Sequence, residues 1–144
     1  MTRRLTHLGG ARATILAGLA LTAAGGAERH VGLAALLGNA LSHVLVQVLK
    51  RTVRRARPCD AYGAPLALVD LPDPFSFPSG HSAAAFAVAV PVAFAHVWLA
   101  PFALTLAGSI AYSRYALRVH HLSDVCAGVA LGVAGALVAM QLLR

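Results

Sequence analysis

Long apolar stretches alternate with short polar segments along the chain. The stretch from Gly80 to Trp98, for example, has no ionisable side chain except the histidines near its ends. A soluble helix, in contrast, normally shows a polar face. Several stretches approach the length of about 20 residues that a helix needs to cross a bilayer. The pattern predicts five helices that fit membrane crossing, over about 11–26, 31–53, 80–98, 101–117 and 120–143.

The predicted fold is all-α, a polytopic transmembrane helix bundle with about five membrane helices. Composition agrees, because 58% of the residues are hydrophobic, only 12% are charged and the mean hydropathy is +0.72. The chain therefore has more apolar surface than a soluble domain of 144 residues needs. A very apolar soluble helical bundle is the alternative. We expect residues 1–144 to form one membrane-embedded domain whose chain crosses the cell membrane several times. A long loop is predicted over about 58–79.

The first segment admits a second interpretation. Arg3, Arg4 and Arg12, a short Ala/Leu-rich run and the small residues at 24–27 are also the pattern of a cleavable signal sequence. The alternating path of five crossings brings four helix ends to one membrane face. These are the end of the second helix, the start of the third, the end of the fourth and the start of the fifth. Polar motifs occur at all four, so we expect them to meet in one site.

The charge distribution indicates an anionic partner. Lys and Arg number 12 against five acidic residues, which gives a net charge of +7. The basic residues are confined to short segments between apolar helices, which suits lipid head groups or a phosphorylated substrate better than nucleic acid. No metal or other cofactor is expected, because a two-metal site needs several clustered carboxylates and Asp124 is the only acid inside an apolar segment. The two cysteines lack any disulfide or metal-ligand pattern.

The second helix ends in a basic cluster, which Pro58 terminates. Its members are Lys50, Arg51, Arg54, Arg55 and Arg57. Taken alone, such a cluster is equally a patch that binds lipid head groups. A polar stripe lies upstream in the second helix, on nearly the same helical face as Lys50. It comprises Asn39, His43 and Gln47. Because polar side chains are costly toward lipid, we expect the stripe to point into the bundle and to make interhelical hydrogen bonds rather than to catalyse.

The third helix opens with the sequence Pro78-Ser79-Gly80-His81. A Ser-Gly pair at a helix start offers free backbone N–H groups and a hydroxyl to an anion, and glycine permits close approach. His81 is placed to donate a proton to a leaving oxygen, since an imidazole pKa of about 6.5 suits acid catalysis near neutrality. Alone, a helix-cap serine beside a chance histidine explains the same residues.

The fourth helix ends in Ser113-Arg114, and His120 begins the fifth helix, with Asp124 one turn further. An intramembrane carboxylate is a functional candidate whose partner must be named. His120 lies at the i, i+4 spacing from Asp124 and His121 at the i, i+3 spacing, so helical geometry alone leaves both open. A carboxylate that holds one imidazole nitrogen would leave the other nitrogen free as a nucleophile.

Together, these clusters resemble the signature of the type 2 phosphatidic acid phosphatase superfamily. The first motif, Lys, six residues and Arg-Pro, falls on residues 50–58, and the second, Pro-Ser-Gly-His, on residues 78–81. The third motif is Ser-Arg, five residues, His, three residues and Asp, and it falls on residues 113–124. This spacing selects His120 over His121. Many membrane members of this family have six crossings, with an additional helix before those predicted here.

The resemblance implies a site for a phosphate group. The phosphate-binding groups would be Lys50, Arg57, Ser79, the Gly80 backbone and Arg114. His120 would attack phosphorus, Asp124 would orient His120, and His81 would protonate the departing group. Water would then hydrolyse the phosphohistidine. The related soluble vanadium-dependent haloperoxidases are excluded as an identity, because this chain is too small and too apolar.

The resulting hypothesis is an integral-membrane phosphatase that hydrolyses a lipid phosphate or diphosphate without a metal. Candidate substrates are undecaprenyl diphosphate, phosphatidylglycerophosphate, phosphatidic acid and polyprenyl-phosphosugar phosphates. A lipid-phosphate binding or transport protein without turnover is the alternative. The positive-inside rule applied to Arg3, Arg4 and Arg12 favours a cytoplasmic site. The resemblance favours an extracytoplasmic site, so the side of the membrane and the oligomeric state stay open.

Overall fold

The computed structural model describes residues 6–69 and 73–144, and its core is a bundle of α-helices. The helices are α1 (Ala11–Ala24), α2 (Gly26–Val53), α3 (Gly80–Ala95), α4 (Ala100–Ala116) and α5 (Leu122–Leu142). A helical turn at residues 6–8 precedes α1. The described part of the chain has no β-strand, and two isolated bridges, Ala56 with Phe75 and Cys59 with Pro65, order the loop after α2. The all-α bundle is thus confirmed.

Two helix boundaries differ from the predicted ones for identifiable reasons. The helix α2 begins at Gly26, earlier than expected, because the chain between α1 and α2 turns at Gly25, whose φ of 76° favours glycine. The helix α5 begins later than expected, at Leu122. The backbone N–H of His121 donates to Oδ2 of Asp124 at 2.8 Å, and this cap starts the helix. The expectation that His120 lies inside the fifth helix is therefore wrong.

Close packing of α3 against α5 relies on glycines of α5. A Cβ atom on Gly128 would collide with the carbonyl oxygen of Ser79, and one on Gly132 would collide with that of Ala83. Small residues of this kind let helix backbones approach each other in membrane bundles. At the same end, the backbone N–H of Ser79 donates to the carbonyl of Asp124 at 2.9 Å. The starts of α3 and α5 are consequently joined directly through their backbones.

The distribution of side chains is that of a protein in lipid. Two helices, Gly26–Val53 and Leu122–Leu142, are long and apolar enough to span a membrane, and Ala11–Ala24 and Gly80–Ala95 are shorter apolar helices. Large apolar side chains point outward, among them Leu16, Phe94, Trp98, Phe102 and Leu142. Many charged and hydroxyl groups are buried inside the bundle, where the cost of exposing them to lipid is avoided. Arg3 and Arg4, used above for orientation, lie outside the described residues.

Candidate active site

A cavity of about 490 Å³ opens where the predicted motifs converge. Its walls come from the end of α2, the start of α3, the end of α4 and the turn before α5, together with Gly9 and Ala11 near the start of α1 and Asp73 of the loop. Six of the eight predicted site residues line it: Lys50, Arg57, Gly80, His81, Arg114 and His120. The other two, Ser79 and Asp124, are fully buried directly behind this wall.

Lys50 and Arg57 are held by one carboxylate that the sequence motifs do not contain. Nζ of Lys50 donates to both oxygens of Asp73, at 2.8 and 2.7 Å, and to the carbonyl of Phe75 at 3.1 Å. Nη2 of Arg57 donates to Oδ1 of Asp73 at 3.1 Å, and Nε of Arg57 donates to the Asp73 carbonyl at 3.0 Å. A further bond from Nη1 of Arg57 reaches the carbonyl of Val119 at 2.8 Å. Both cations are therefore aimed at the cavity in a defined orientation.

Asp73 titrates as part of this ionic cluster. Partial burial raises the pKa of Asp73, but the hydrogen bond and charge of Lys50 and the charge of Arg57 outweigh it. The net pKa of Asp73 is accordingly below its ordinary value of 3.8, and the carboxylate is ionised at neutral pH. Asp73 lies in the long loop that the sequence predicts over about 58–79. No local signal distinguishes it there from Asp60 or Asp70.

Arg114 supplies the third cation. Its side chain is almost fully buried, and Nη1 donates to Oγ1 of Thr6 from the turn before α1. Nε of Arg114 is buried and has no hydrogen-bond partner among residues 6–69 and 73–144. A buried guanidinium donor without a partner is costly, and an anion in the adjacent cavity would satisfy it. Thr6 is not predicted as a site residue, because no motif in the neighbouring sequence indicates a contact with Arg114.

The start of α3 presents Gly80 and His81 to the cavity. Ser79 is the N-cap, and its Oγ accepts from the backbone N–H of Ser82 at 3.4 Å and lies 2.8 Å from Oγ of Ser82. The serine hydroxyl thus stabilises the helix start behind the cavity wall. A hydroxyl that accepts in this way retains its own proton to donate to an oxyanion. Its predicted part in phosphate binding stays a prediction.

The fold places the two histidines before α5 in different surroundings. His120 is buried and lines the cavity, whereas His121 is half-buried and serves as the N-cap of α5. Burial lowers the pKa of His120 below 6.5, the carboxylate of Asp124 raises it, and the charges of Arg57 and Arg114 lower it further. The net shift is downward, so the imidazole of His120 is neutral near pH 7. A neutral imidazole is the form that can act as a nucleophile.

Asp124 binds more partners than the predicted one. Nδ1 of His120 lies 3.8 Å from Oδ2 of Asp124, which is ion-pair range but too long for a hydrogen bond. The shorter contact of the carboxylate is with Arg55, whose Nη1 donates to Oδ1 at 2.8 Å and to Oγ of Ser123 at 2.6 Å. Nδ1 of His120 has no hydrogen-bond partner within the described ranges. The sequence identifies Arg55 only as a member of the basic cluster, because its partner Asp124 is 69 residues away along the chain.

Comparison with known proteins agrees with this geometry. Two curated relatives from strains of Mycobacterium tuberculosis, named decaprenylphosphoryl-5-phosphoribose phosphatase, are 38% identical over 112 residues. A protein of the same name from Mycolicibacterium smegmatis is 38% identical over 130 residues, or 88% of this chain and 68% of the relative. The M. tuberculosis alignments cover 77% of this chain and 61% of the relative, so the chain spans about three fifths of their length.

Solved structures share the fold. A transmembrane PAP2 type phosphatidylglycerolphosphate phosphatase from Bacillus subtilis superposes with a TM-score of 0.76 at 28% identity, covering 98% of this chain and 74% of the other. LpxE from Aquifex aeolicus gives a TM-score of 0.81 at 22% identity, with coverages of 97% and 83%, and shows the fold alone. The likeness to the B. subtilis structure supports a membrane location. Because the family model described as PAP2 superfamily matches residues 31–144, the chain belongs to the PAP2 superfamily.

Proposed function

We propose that this chain is a multi-pass phosphatase of the cell membrane that hydrolyses a lipid phosphate or diphosphate through a phosphohistidine intermediate. The observation that carries the proposal is the convergence of three buried cations and the buried imidazole of His120 on a single cavity. Cations from Lys50, Arg57 and Arg114 would neutralise the phosphate and the additional charge of the five-coordinate transition state. One domain, residues 1–144, would suffice for the chemistry.

The reaction would proceed in two displacements. In the first, Nε2 of His120, the ring nitrogen remote from Asp124, forms a bond to phosphorus while the bond from phosphorus to the leaving oxygen breaks. His81 supplies a proton to that oxygen, and the lipid alcohol, or lipid phosphate, departs. In the second, water attacks the phosphohistidine and gives a proton to His81, the nitrogen–phosphorus bond breaks and inorganic phosphate is released. Asp124 would stabilise the positive charge that His120 carries in the intermediate.

The names of the relatives support a lipid-linked substrate. The mycobacterial relatives are named for a decaprenylphosphoryl phosphoribose, and the B. subtilis neighbour for phosphatidylglycerolphosphate. Both names denote a terminal phosphate on a lipid. We infer that a lipid phosphate is the substrate class here, with surrounding membrane lipids as the other partners. Undecaprenyl diphosphate and phosphatidic acid are further candidates within that class.

Release of inorganic phosphate by the purified protein from a panel of lipid phosphates is the direct test. Because side-chain cations do the charge neutralisation, we expect a chelator to leave the rate largely intact. Loss of activity that only magnesium or zinc restores would contradict the scheme. Binding of the lipids without any phosphate release would instead favour the alternative of a non-catalytic lipid-phosphate binding or transport protein.

A further inference from the structure

The cavity is larger than the phosphate site, and its second half has a different character. Its three cations, Lys50, Arg57 and Arg114, come from the helix ends and the adjoining turn. The remainder of its wall along α2 is formed by the polar stripe, Asn39, His43 and Gln47, together with Val46. A volume of about 490 Å³ falls within the range of sites that hold a whole small molecule. The substrate group next to the phosphate therefore has room beside this stripe.

The polar stripe makes fewer hydrogen bonds between helices than the sequence predicts. Among residues 6–69 and 73–144, only Asn39 of the stripe bonds another helix, where its Nδ2 donates to Oγ1 of Thr14 at 3.1 Å. His43 and Gln47 contact each other, with Nε2 of Gln47 3.3 Å from Nε2 of His43. Neither makes a side-chain hydrogen bond to another helix in the described part of the chain. Both residues line the cavity.

The order of groups along α2 indicates what these donors and acceptors bind. With a rise of about 1.5 Å per residue, Gln47 lies roughly 4.5 Å and His43 roughly 10.5 Å from Lys50 along the helix axis. Both share the Lys50 face, since their spacings from it are i, i+3 and i, i+7. Beyond them Asn39 is satisfied by Thr14. The polar wall is thus about as long as one small head group between a terminal phosphate and a lipid chain.

The chemistry of the stripe selects among head groups. A second phosphate at this position would require further Lys or Arg side chains. Among the described residues that line the cavity, Lys and Arg occur only around the phosphate site. An amide and an imidazole are matched instead to neutral hydroxyl groups, with which they can both donate and accept. We propose, resting on the proposed function, that His43 and Gln47 form a subsite for the hydroxyl groups of a sugar or polyol that joins the scissile phosphate to the lipid.

A matched pair of lipids tests this subsite. One is polyprenylphosphoryl-5-phosphoribose, and the other carries pentane-1,5-diol in place of ribose, so both end in a primary phosphate ester and only one has ring hydroxyls. Two hydrogen bonds to the ribose should give the wild-type protein a preference of about tenfold in kcat/KM for the ribose lipid. The Gln47→Met and His43→Leu variants should each reduce that preference to about threefold or less.

A control variant separates the subsite from general effects on α2. Thr52 is exposed, and its hydroxyl donates to carbonyls of its own helix, Val48 at 3.1 Å and Leu49 at 3.2 Å. Thr52→Val should keep the tenfold preference. An equal loss on both lipids in the Gln47 and His43 variants, or an unchanged preference, would overturn the subsite.

The outcomes also distinguish this inference from the proposed function. Equal hydrolysis of the two lipids by the wild-type protein would overturn the hydroxyl subsite and leave the phosphatase activity standing. Faster hydrolysis of undecaprenyl diphosphate than of the ribose lipid would likewise overturn it. Hydrolysis of no lipid phosphate at all would overturn both.

Discussion

The candidate site has two carboxylates in opposite surroundings. Asp124 is fully buried at the start of a helix and binds Arg55 beside the imidazole of His120. Asp73 belongs to the loop before α3, its side chain is 31% exposed, and it binds Lys50 and Arg57. One carboxylate is built into the bundle next to the proposed nucleophile, whereas the other pairs with two cations that would bind phosphate and would therefore compete with it. We therefore expect the Asp124 side to control rate and the Asp73 side to control anion affinity and stability.

The largest effect is expected at the imidazole beside Asp124. His120→Ala removes the proposed nucleophile and should reduce turnover by at least about 10³-fold, with loss of any acid-labile phosphoenzyme trapped by rapid quench. His121→Ala removes a half-buried cap side chain while the backbone N–H that binds Asp124 remains. This matched variant should still form labelled intermediate. A dead His121→Ala protein beside a His120→Ala protein that forms phosphoenzyme would reverse the assignment.

The next largest effect concerns the cations. Arg57→Ala and Arg114→Ala should each reduce kcat/KM by about 100-fold, the loss associated with removing one transition-state donor. Arg51, exposed on the same helix end, offers a control that changes the charge equally. Steady-state kinetics in detergent should show a much smaller effect for Arg51→Ala. Equal losses at all three positions would mean that the cluster attracts anions only as a diffuse basic patch.

A smaller effect on rate is expected from Arg55. Its bond to Asp124 orients the carboxylate that faces His120, so Arg55→Ala should reduce kcat by about tenfold with little change in KM. Arg55→Lys should recover part of the rate, since it retains the charge. The pH profile of kcat should also shift in Arg55→Ala, which a loss of folding alone would not produce. An effect no larger than that of Arg51→Ala would show that Arg55 does not position Asp124.

The smallest effect on catalysis, and an opposite effect on anion binding, should come from Asp73. Asp73→Asn leaves Lys50 and Arg57 without their counter-charge, which should destabilise the protein by about 1–3 kcal/mol. Vanadate or phosphate should bind the variant more tightly and restore more of its Tm than in the wild-type protein. A weaker affinity of the variant for vanadate would show that Asp73 organises the cations rather than competing with phosphate.

The same variant tests the pH dependence of stability. Because the pKa of Asp73 is below 3.8 in the folded state, its stabilising contribution is fully present above the unfolded-state pKa. The contribution is lost as pH falls through the folded-state pKa. The difference in Tm between the wild-type protein and Asp73→Asn should therefore be constant near neutrality and shrink below about pH 4. A difference that persists at low pH would mean that it does not come from the carboxylate charge.

The sequence was sufficient for the parts of the site that short-range spacing and helix ends determine. The apolar pattern located the helices, and motif gaps identified the residues that the fold brings to the cavity, including His120 rather than His121. Asp73, Thr6 and Arg55 were missed because each reaches the site through tertiary contacts of a loop or terminus. Loop carboxylates look alike in a sequence, and only the fold shows that Asp73 meets Lys50. The start of α5 was misplaced because a cap by Asp124 defines it.

The glycine packing between α3 and α5 bears on how the site responds to the surrounding bilayer. Helices whose hydrophobic length does not match the local bilayer thickness tilt or shift relative to their neighbours. Gly128 and Gly132 bring the two backbones into contact, so α3 and α5 must tilt together as one unit. We therefore expect His81 at the start of α3 and His120 just before α5 to keep their separation in thin and thick membranes alike. The distance between the proposed proton donor and the proposed nucleophile should then not depend on bilayer thickness.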